Sequence, residues 1–201
     1  MIKNIIFDIG RVLADFAWKE TLTNLGIDKG DFTELSNATV KSPFWGEFDR
    51  SAESDEDILL HFIENAPHQE ANIRLAWEHI QDMIHCYPYT YAWLQELKAA
   101  GYHRYYLSNY PRKIYEITKD EIGFIREMEG GLFSFDVQLI KPEEEIYLEL
   151  LHKYNLKAEE CVFLDDKAIN IKTSESLGIA GIVFRSQEQA VKELRDLGVK
   201  I

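Results

Sequence analysis

IIFDIGRVLADF, residues 5–16, begins as an unbroken apolar run and stops at Asp8, with Gly10 two places on and Val12 four places on. Apolar residues without alternation describe a strand covered on both faces, as in a parallel sheet lying between layers of helices. The C-terminal tip of such a strand is where open α/β sheets hold ligands, so a carboxylate there has a functional reading. It also has a plain one, because turns after strands favour Asp and Gly for backbone reasons. The pattern of the remaining chain weighs between the two.

From Phe16 to about Tyr87 there is no strand-like run, and the segment reads as helices broken by turn signals at Gly26, Gly30, Pro43 and Gly46. Beyond it the pattern changes. YTYAWLQELKAAG reads as an amphipathic helix with Tyr91, Leu94 and Leu97 on one face and Gly101 as its stop. YYLSN is a short buried strand, RKIYEITKDEIGFI is helix or loop, and FSFDVQLIKP is a second buried strand ending at Pro142. EEEIYLELLHKYNL is a helix, with Pro142 suited to its first position and three glutamates near the positive end of its dipole. VFLDD is a strand, AINIKTSESLG a helix ending at Gly178, and IAGIVF a last strand before the closing helix. Strands alternating with helices of this length imply an α/β fold with a doubly wound parallel sheet. Residues 1–15 and 88–201 are expected to form the core domain, and residues 16–87 an inserted helical domain above the strand tip that carries Asp8.

The bulk composition narrows the partners. A formal net charge of −13 over 201 residues argues against a general nucleic-acid binder or an anionic-membrane binder, since both need a basic surface. The segment from 16 to 86 holds fourteen Asp and Glu against five Lys and Arg, which a solvated acidic face explains and which would repel a bulky polyanion but not a small sugar-like group. Cys86 and Cys161 stand far apart in no metal-ligand spacing and read as reduced thiols. The first strand begins almost at once, leaving no room for a signal peptide, and no stretch has the length of a membrane span. The expectation is a cytoplasmic protein.

Neighbouring parallel strands bring their C-terminal ends together whatever their separation in sequence. YYLSN ends in Ser108 and Asn109, the run before Pro142 in Lys141, and VFLDD in Asp165 and Asp166. Singly, each has a bland reading as a turn or a helix entrance. Together they supply what phosphoryl transfer requires. Asp8 could attack phosphorus to form an aspartyl-phosphate. A hard divalent cation such as Mg²⁺ would sit between Asp8 and Asp166 with the carbonyl of Gly10, and Asp165 would hold a metal-bound water or orient its neighbour. Ser108, Asn109 and backbone N–H groups could bind the phosphoryl oxygens, with Lys141 offsetting the charge that collects there.

These residues resemble the haloacid dehalogenase (HAD) superfamily, whose members carry four motifs at such strand ends: FDIGRVL matches the first, LSN the second, KP the third and FLDD with Asn170 the fourth. The resemblance spans essentially the whole chain. Within the superfamily the sequence is most similar to small sugar-phosphate phosphatases with a helical cap and a D-x-G-x-V first motif, and FWGEFDRSAESDEDI, residues 44–58, resembles their cap. The resemblance implies a HAD-like Rossmannoid core, a small phosphorylated metabolite as substrate and Mg²⁺ as cofactor.

It also implies a second aspartate two places after the nucleophile, to protonate the departing oxygen. Gly10 stands there. Three readings remain open: a phosphatase whose leaving group needs little protonation or whose acid comes from elsewhere, with Asp15 a candidate; a 2-haloacid dehalogenase, since halide leaves without a proton; and a member that binds a phosphorylated ligand with weak turnover or none. Arg11 and Lys167 occupy places where the family has other residue types, and neither is assigned to the site. The aromatics Phe16, Trp18, Phe44, Trp45 and Phe48 read chiefly as core of the inserted segment, and the histidines at 61, 68, 79 and 85 as structural or exposed.

Overall fold

The computed structural model describes residues 1–201. Its seven strands are β1 (Asn4–Phe7), β2 (Ala14–Phe16), β3 (Ile84–Cys86), β4 (His103–Ser108), β5 (Gly130–Phe133), β6 (Cys161–Asp165) and β7 (Ala180–Val183). Five of them form one sheet in the order β5-β4-β1-β6-β7, every neighbouring pair parallel. The chain leaves β1 for β4 on one side and reaches β6 on the other, so the crossovers diverge at β1 and open a crevice at its C-terminal tip.

The unpatterned apolar run of β1 follows from its central place. All four of its residues are buried. Ile5 and Phe7 pack with Trp93, Leu94, Leu97 and Leu194 on one face of the sheet, while Ile6 packs with Tyr147, Leu150 and Phe163 on the other. Burial of each such side chain stabilises the fold by about 1.5–3 kcal/mol before chain entropy is counted. The helix Thr90–Ala99 presents Trp93, Leu94 and Leu97 to this core; Tyr91, expected on that face, is 47 % exposed, and Trp93 takes the place with its ring against Phe7.

Two expectations are corrected in the strands. Residues 16–87 are not strand-free, because β2 and β3 pair antiparallel where the helical segment leaves and rejoins the sheet. At three residues each, these strands are too short for a period-two pattern to register. The second correction concerns FSFDVQLIKP, which is not a strand. The strand is GGLF, followed by the short helix Ser134–Val137, a left-handed Gln138 and a loop. Gly-Gly signals a turn in sequence, yet here it is strand because nothing larger fits. A Cβ on Gly131 would lie 2.3 Å from the carbonyl oxygen of Tyr106, and the Tyr154 hydroxyl accepts from Gly131 N–H at 2.8 Å. Gly131→Ala therefore overpacks the β4–β5 pairing. A loss of about 2–3 kcal/mol is expected, visible as a fall of roughly 5–10 °C in the thermal midpoint.

Between β2 and β3 lie five helices, Trp18–Asn24, Phe32–Ala38, Phe44–Arg50, Asp55–Asn65 and Glu70–Glu78. Phe48, Phe62 and Trp77 meet edge-to-face or tilted at their centre, and Trp45 stacks on Phe62. The Ser54 hydroxyl caps the fourth helix by accepting from Asp57 N–H. The segment is bolted to the sheet side at the end of its third helix: Arg50 pairs with Glu143, Ser134 Oγ donates to Asp49 O at 2.6 Å, and Arg112 N–H donates to Ser51 Oγ at 3.0 Å. The helix expected from Pro142 begins at Glu144, with Glu143 as its N-cap and Glu144 and Glu145 in the first turn. Both cysteines are free thiols, and no helix is long and apolar enough to cross a membrane.

Candidate active site

Asp8 follows β1 directly, its N–H donating to Leu164 O at 2.8 Å, so its carboxylate stands in the crevice beside the tips of β4 and β6. The two carboxylate oxygens have different surroundings. Oδ1 accepts from Ile9 N–H at 2.8 Å and Ser108 Oγ at 2.8 Å, and lies 2.9 Å from Lys141 Nζ. Oδ2 accepts no hydrogen bond from the chain. Burial pushes the Asp8 carboxyl up to about 6, with Lys141 and Ser108 holding it down and Asp165 adding to the rise.

Lys141 does not end a strand, as expected from sequence, but sits in the loop after the Ser134–Val137 helix. Asn109 holds it there. The Asn109 amide donates to Lys141 O at 3.0 Å and its Oδ1 accepts from Lys141 N–H at 2.8 Å. The Asn109 side chain is thus spent on the backbone of Lys141, and what it leaves for a ligand is its main-chain N–H, which, like that of Gly10, has no acceptor within the chain. Lys141 is buried, and its ammonium bridges Asp8 and Asp165, at 2.7 Å from Asp165 Oδ2. Burial works against the Lys141 cation, but the two carboxylates prevail and hold its pKa above the ordinary value.

The two aspartates at the C-terminal end of β6 differ in environment. Asp165 is fully buried and accepts from Lys141 Nζ, from Asn170 Nδ2 at 2.9 Å and from Lys167 N–H at 2.8 Å, which satisfies it within the fold. Asp166 is partly exposed, and its one ion pair is with Arg11, at 3.6 Å. Burial, then the neighbouring Asp165, raises its pKa. Arg11, in the left-handed region at φ +60°, lines the cavity and sets its guanidinium beside Asp166. Carboxylate oxygens of Asp8, Asp165 and Asp166 all lie within 4.8 Å of one another, and the Gly10 carbonyl accepts no hydrogen bond. An all-oxygen donor set with Asp8 Oδ2, Asp166 Oδ1 and the Gly10 carbonyl without partners fits a hard divalent cation.

These tips floor a cavity of about 420 Å³ whose roof comes from the helical segment through Phe16, Trp18, Lys41, Trp45 and Asp49. Of the aromatics, Phe16, Trp18 and Trp45 therefore face the cavity, whereas Phe48 is core. Asp15 does not line it; its carboxylate accepts from Tyr87 OH at 3.2 Å in an adjoining cleft. Asp49, which has no place in the sequence reading, lines the cavity, and so do Arg11 and Lys167, which that reading leaves unassigned. The one sequence signal for Asp49 is its spacing: it follows Trp45 by four and Phe48 by one, on the apolar stripe of its helix. His61, His68 and His79 each pair with a carboxylate at the surface, away from these groups.

Residues 2–178 match the family model described as haloacid dehalogenase-like hydrolase. The chain is 22 % identical over 203 residues to a flavin mononucleotide hydrolase of Arabidopsis thaliana, covering 98 % of this chain and 78 % of that protein. It is 24 % identical to a sesquiterpene phosphatase of Aspergillus oryzae, covering 97 % and 96 % of the two. The backbone superimposes with a TM-score of 0.70 on a HAD family enzyme of Bacteroides thetaiotaomicron solved with magnesium and inorganic phosphate, at 19 % identity over 93 % of this chain and 96 % of that one. With the parallel sheet, the carboxylate tips and a family match over most of its length, the chain belongs to the haloacid dehalogenase-like hydrolases.

Proposed function

We propose that this hydrolase is a Mg²⁺-dependent phosphatase of a small phosphorylated metabolite, a sugar phosphate among the candidates, working through an aspartyl-phosphate on Asp8 in the cytoplasm. The observation that carries this reading is the asymmetry of the Asp8 carboxylate at the cavity floor: Oδ1 is fixed by three donors and Oδ2 is open. Fixing one oxygen aims the other, and orientation is a large part of what such a site contributes.

In this reading Asp8 attacks phosphorus and the ester oxygen departs. Ser108 keeps Asp8 in its attacking rotamer, and the free N–H groups of Gly10 and Asn109 receive phosphoryl oxygens. Lys141 offsets the negative charge of phosphate and carboxylates, and Asp165, satisfied by Asn170 and Lys167, holds Lys141 in place. Asp8, Asp166 and the Gly10 carbonyl would hold Mg²⁺, which when bound neutralises charge on the phosphoryl oxygens. Residues 16–87 act as a helical cap that excludes bulk water during transfer to Asp8, and 1–15 with 88–201 form the catalytic core. A water then releases phosphate from Asp8. The acidic cap favours a compact substrate over a polyanion.

The absent carboxylate at Gly10 favours a second reading, dehalogenation of a 2-haloacid, because halide departs without a proton. Three clustered carboxylates oppose it, since that chemistry needs no metal. A panel of phosphorylated metabolites assayed with EDTA and with Mg²⁺, a 2-haloacid in the same series, separates the two. The expected result is phosphate release that EDTA stops and Mg²⁺ restores. Halide release unaffected by EDTA, with no phosphate ester turned over, would replace this reading with the second.

A further inference from the structure

Proton supply is the gap left by Gly10, and the cavity contains a group that matches it. Asp49 lies near the end of the helix Phe44–Arg50, 6 % exposed, and lines the same cavity as Asp8. Its carboxylate accepts no hydrogen bond and forms no ion pair, although Arg50 beside it pairs with Glu47 and Glu143. The one fully enclosed side-chain polar atom without a partner is Trp93 Nε1, so the Asp49 carboxyl opens onto the cavity, where a ligand or a proton supplies the partner that the chain does not.

Its position is also held. Ser134 Oγ donates to its carbonyl, Arg112 N–H donates to Ser51 Oγ, and Arg50 ties the same helix end to Glu143, three contacts from the sheet side on adjoining residues. Phe48 is buried among Phe62 and Trp77. The charged groups that Asp49 faces are Lys167, Asp8 and Lys141. Burial pushes its carboxyl up to about 7, with Asp8 adding to the rise and the two lysines opposing it. Near neutral pH such a group both gives and takes a proton.

We propose that Asp49, carried by the helical segment, is the general acid and base of the reaction, replacing the carboxylate missing at Gly10. The proposal rests on the Asp8 phosphatase reading. In the first step an Asp8 oxygen bonds to phosphorus, the phosphorus–oxygen ester bond breaks, and the Asp49 proton passes to the departing oxygen, which leaves as an alcohol. Asp49 is then a carboxylate. In the second step water bonds to phosphorus while its proton passes to Asp49, and the Asp8–phosphorus bond breaks. Phosphate and the Asp8 carboxylate result, and Asp49 is again protonated.

The leaving group gives the test. Wild-type protein, Asp49→Asn, and Asp49→Asn combined with Gly10→Asp are assayed with Mg²⁺ on p-nitrophenyl, phenyl and alkyl phosphates. Asp49→Asn keeps shape and removes the proton, so thermal midpoint and KM should hold. With a donor present, wild-type kcat/KM should depend weakly on leaving-group basicity; in Asp49→Asn the alkyl esters should lose about 10²–10³-fold and p-nitrophenyl phosphate less than about 3-fold. A side chain at Gly10 meets no atom within 4 Å, and its φ lies outside the left-handed region, so Gly10→Asp should restore at least about tenfold of the alkyl-ester rate in the double variant. Equal losses on every ester, or none, would overturn the role of Asp49 and leave the Asp8 reading standing. A steep leaving-group dependence in the wild type, which needs no variant, would do the same. No turnover of any ester by the wild type would remove both.

Discussion

Asp8→Asn should abolish phosphate-ester turnover, with a loss of about 10⁴-fold or more, the scale on which removal of a covalent nucleophile is felt in other hydrolases. An amide is a far poorer nucleophile than a carboxylate and would form no acyl phosphate. The substitution also disturbs what aims the group: with three donors converging on Oδ1, the amide oxygen must occupy that place, leaving the NH₂ at the open Oδ2 position. The oxygen lost is therefore the one that faces the cavity. Fold should survive, because oxygen remains where the donors are and a buried charge is removed. Steady-state assays with acid-quench trapping of phosphorylated protein check the outcome. A variant that keeps most of its activity, or still traps phosphate, would remove Asp8 from the mechanism.

Lys141→Met should be costly to stability as well as to turnover. The ammonium is the one cation between two buried carboxylates, 2.9 Å from Asp8 and 2.7 Å from Asp165. Removing one partner from a buried ionic cluster typically costs about 3–5 kcal/mol, because the charges that remain are uncompensated. In a protein of this size that is a fall of roughly 10 °C in the thermal midpoint, measured in EDTA so that no cation substitutes for the ammonium. The pH dependence has a definite sign. Asp8 already lies above its ordinary value at about 6, and loss of Lys141 raises it further. A carboxyl raised in the folded state relative to the unfolded chain stabilises below its unfolded pKa and loses that contribution as pH rises through the folded value. The deficit of the variant against wild type should therefore be largest near pH 8 and shrink as pH falls below about 5. Equal midpoints at pH 8 would show that Lys141 does not balance this pair.

The two variants act on the same cluster from opposite sides, so their effects will not add. Asp8→Asn removes one of the charges that Lys141 serves, and in that background Lys141→Met should cost less than in the wild type.

Some of the site was legible because its parts lie at the ends of apolar runs. Asp8, Ser108, Asp165 and Asp166 each terminate or follow a strand whose interior is buried on both faces, and a polar residue at such a boundary is visible without coordinates. Lys141 was found by its neighbour Pro142 although the strand assigned to it does not exist. The glycines of β5 misled because their meaning lies in Tyr106 and Tyr154, one on the adjoining strand and one beyond the helix Glu144–Lys153. Asn109 reads from sequence as a binder of phosphoryl oxygens, but its amide serves the backbone of Lys141, a partnership that residue type cannot reveal.

By itself, then, the sequence determined the alternation of buried strands and helices, the convergence of Asp8, Asp165 and Asp166 at strand tips, and the missing carboxylate at Gly10. These are consequences of local periodicity and of the rule that parallel strands share an end. Only the tertiary structure decided which acidic residue of the helical segment faces Asp8. Glu47 and Asp49 stand in one short helix and look alike in sequence, but Glu47 lies outside the cavity and takes Arg50 as its partner, whereas packing of Trp45 and Phe48 turns Asp49 inward over the strand tips. Charge and exposure of a side chain on a helix depend on what covers that helix, and no window of sequence contains the covering element.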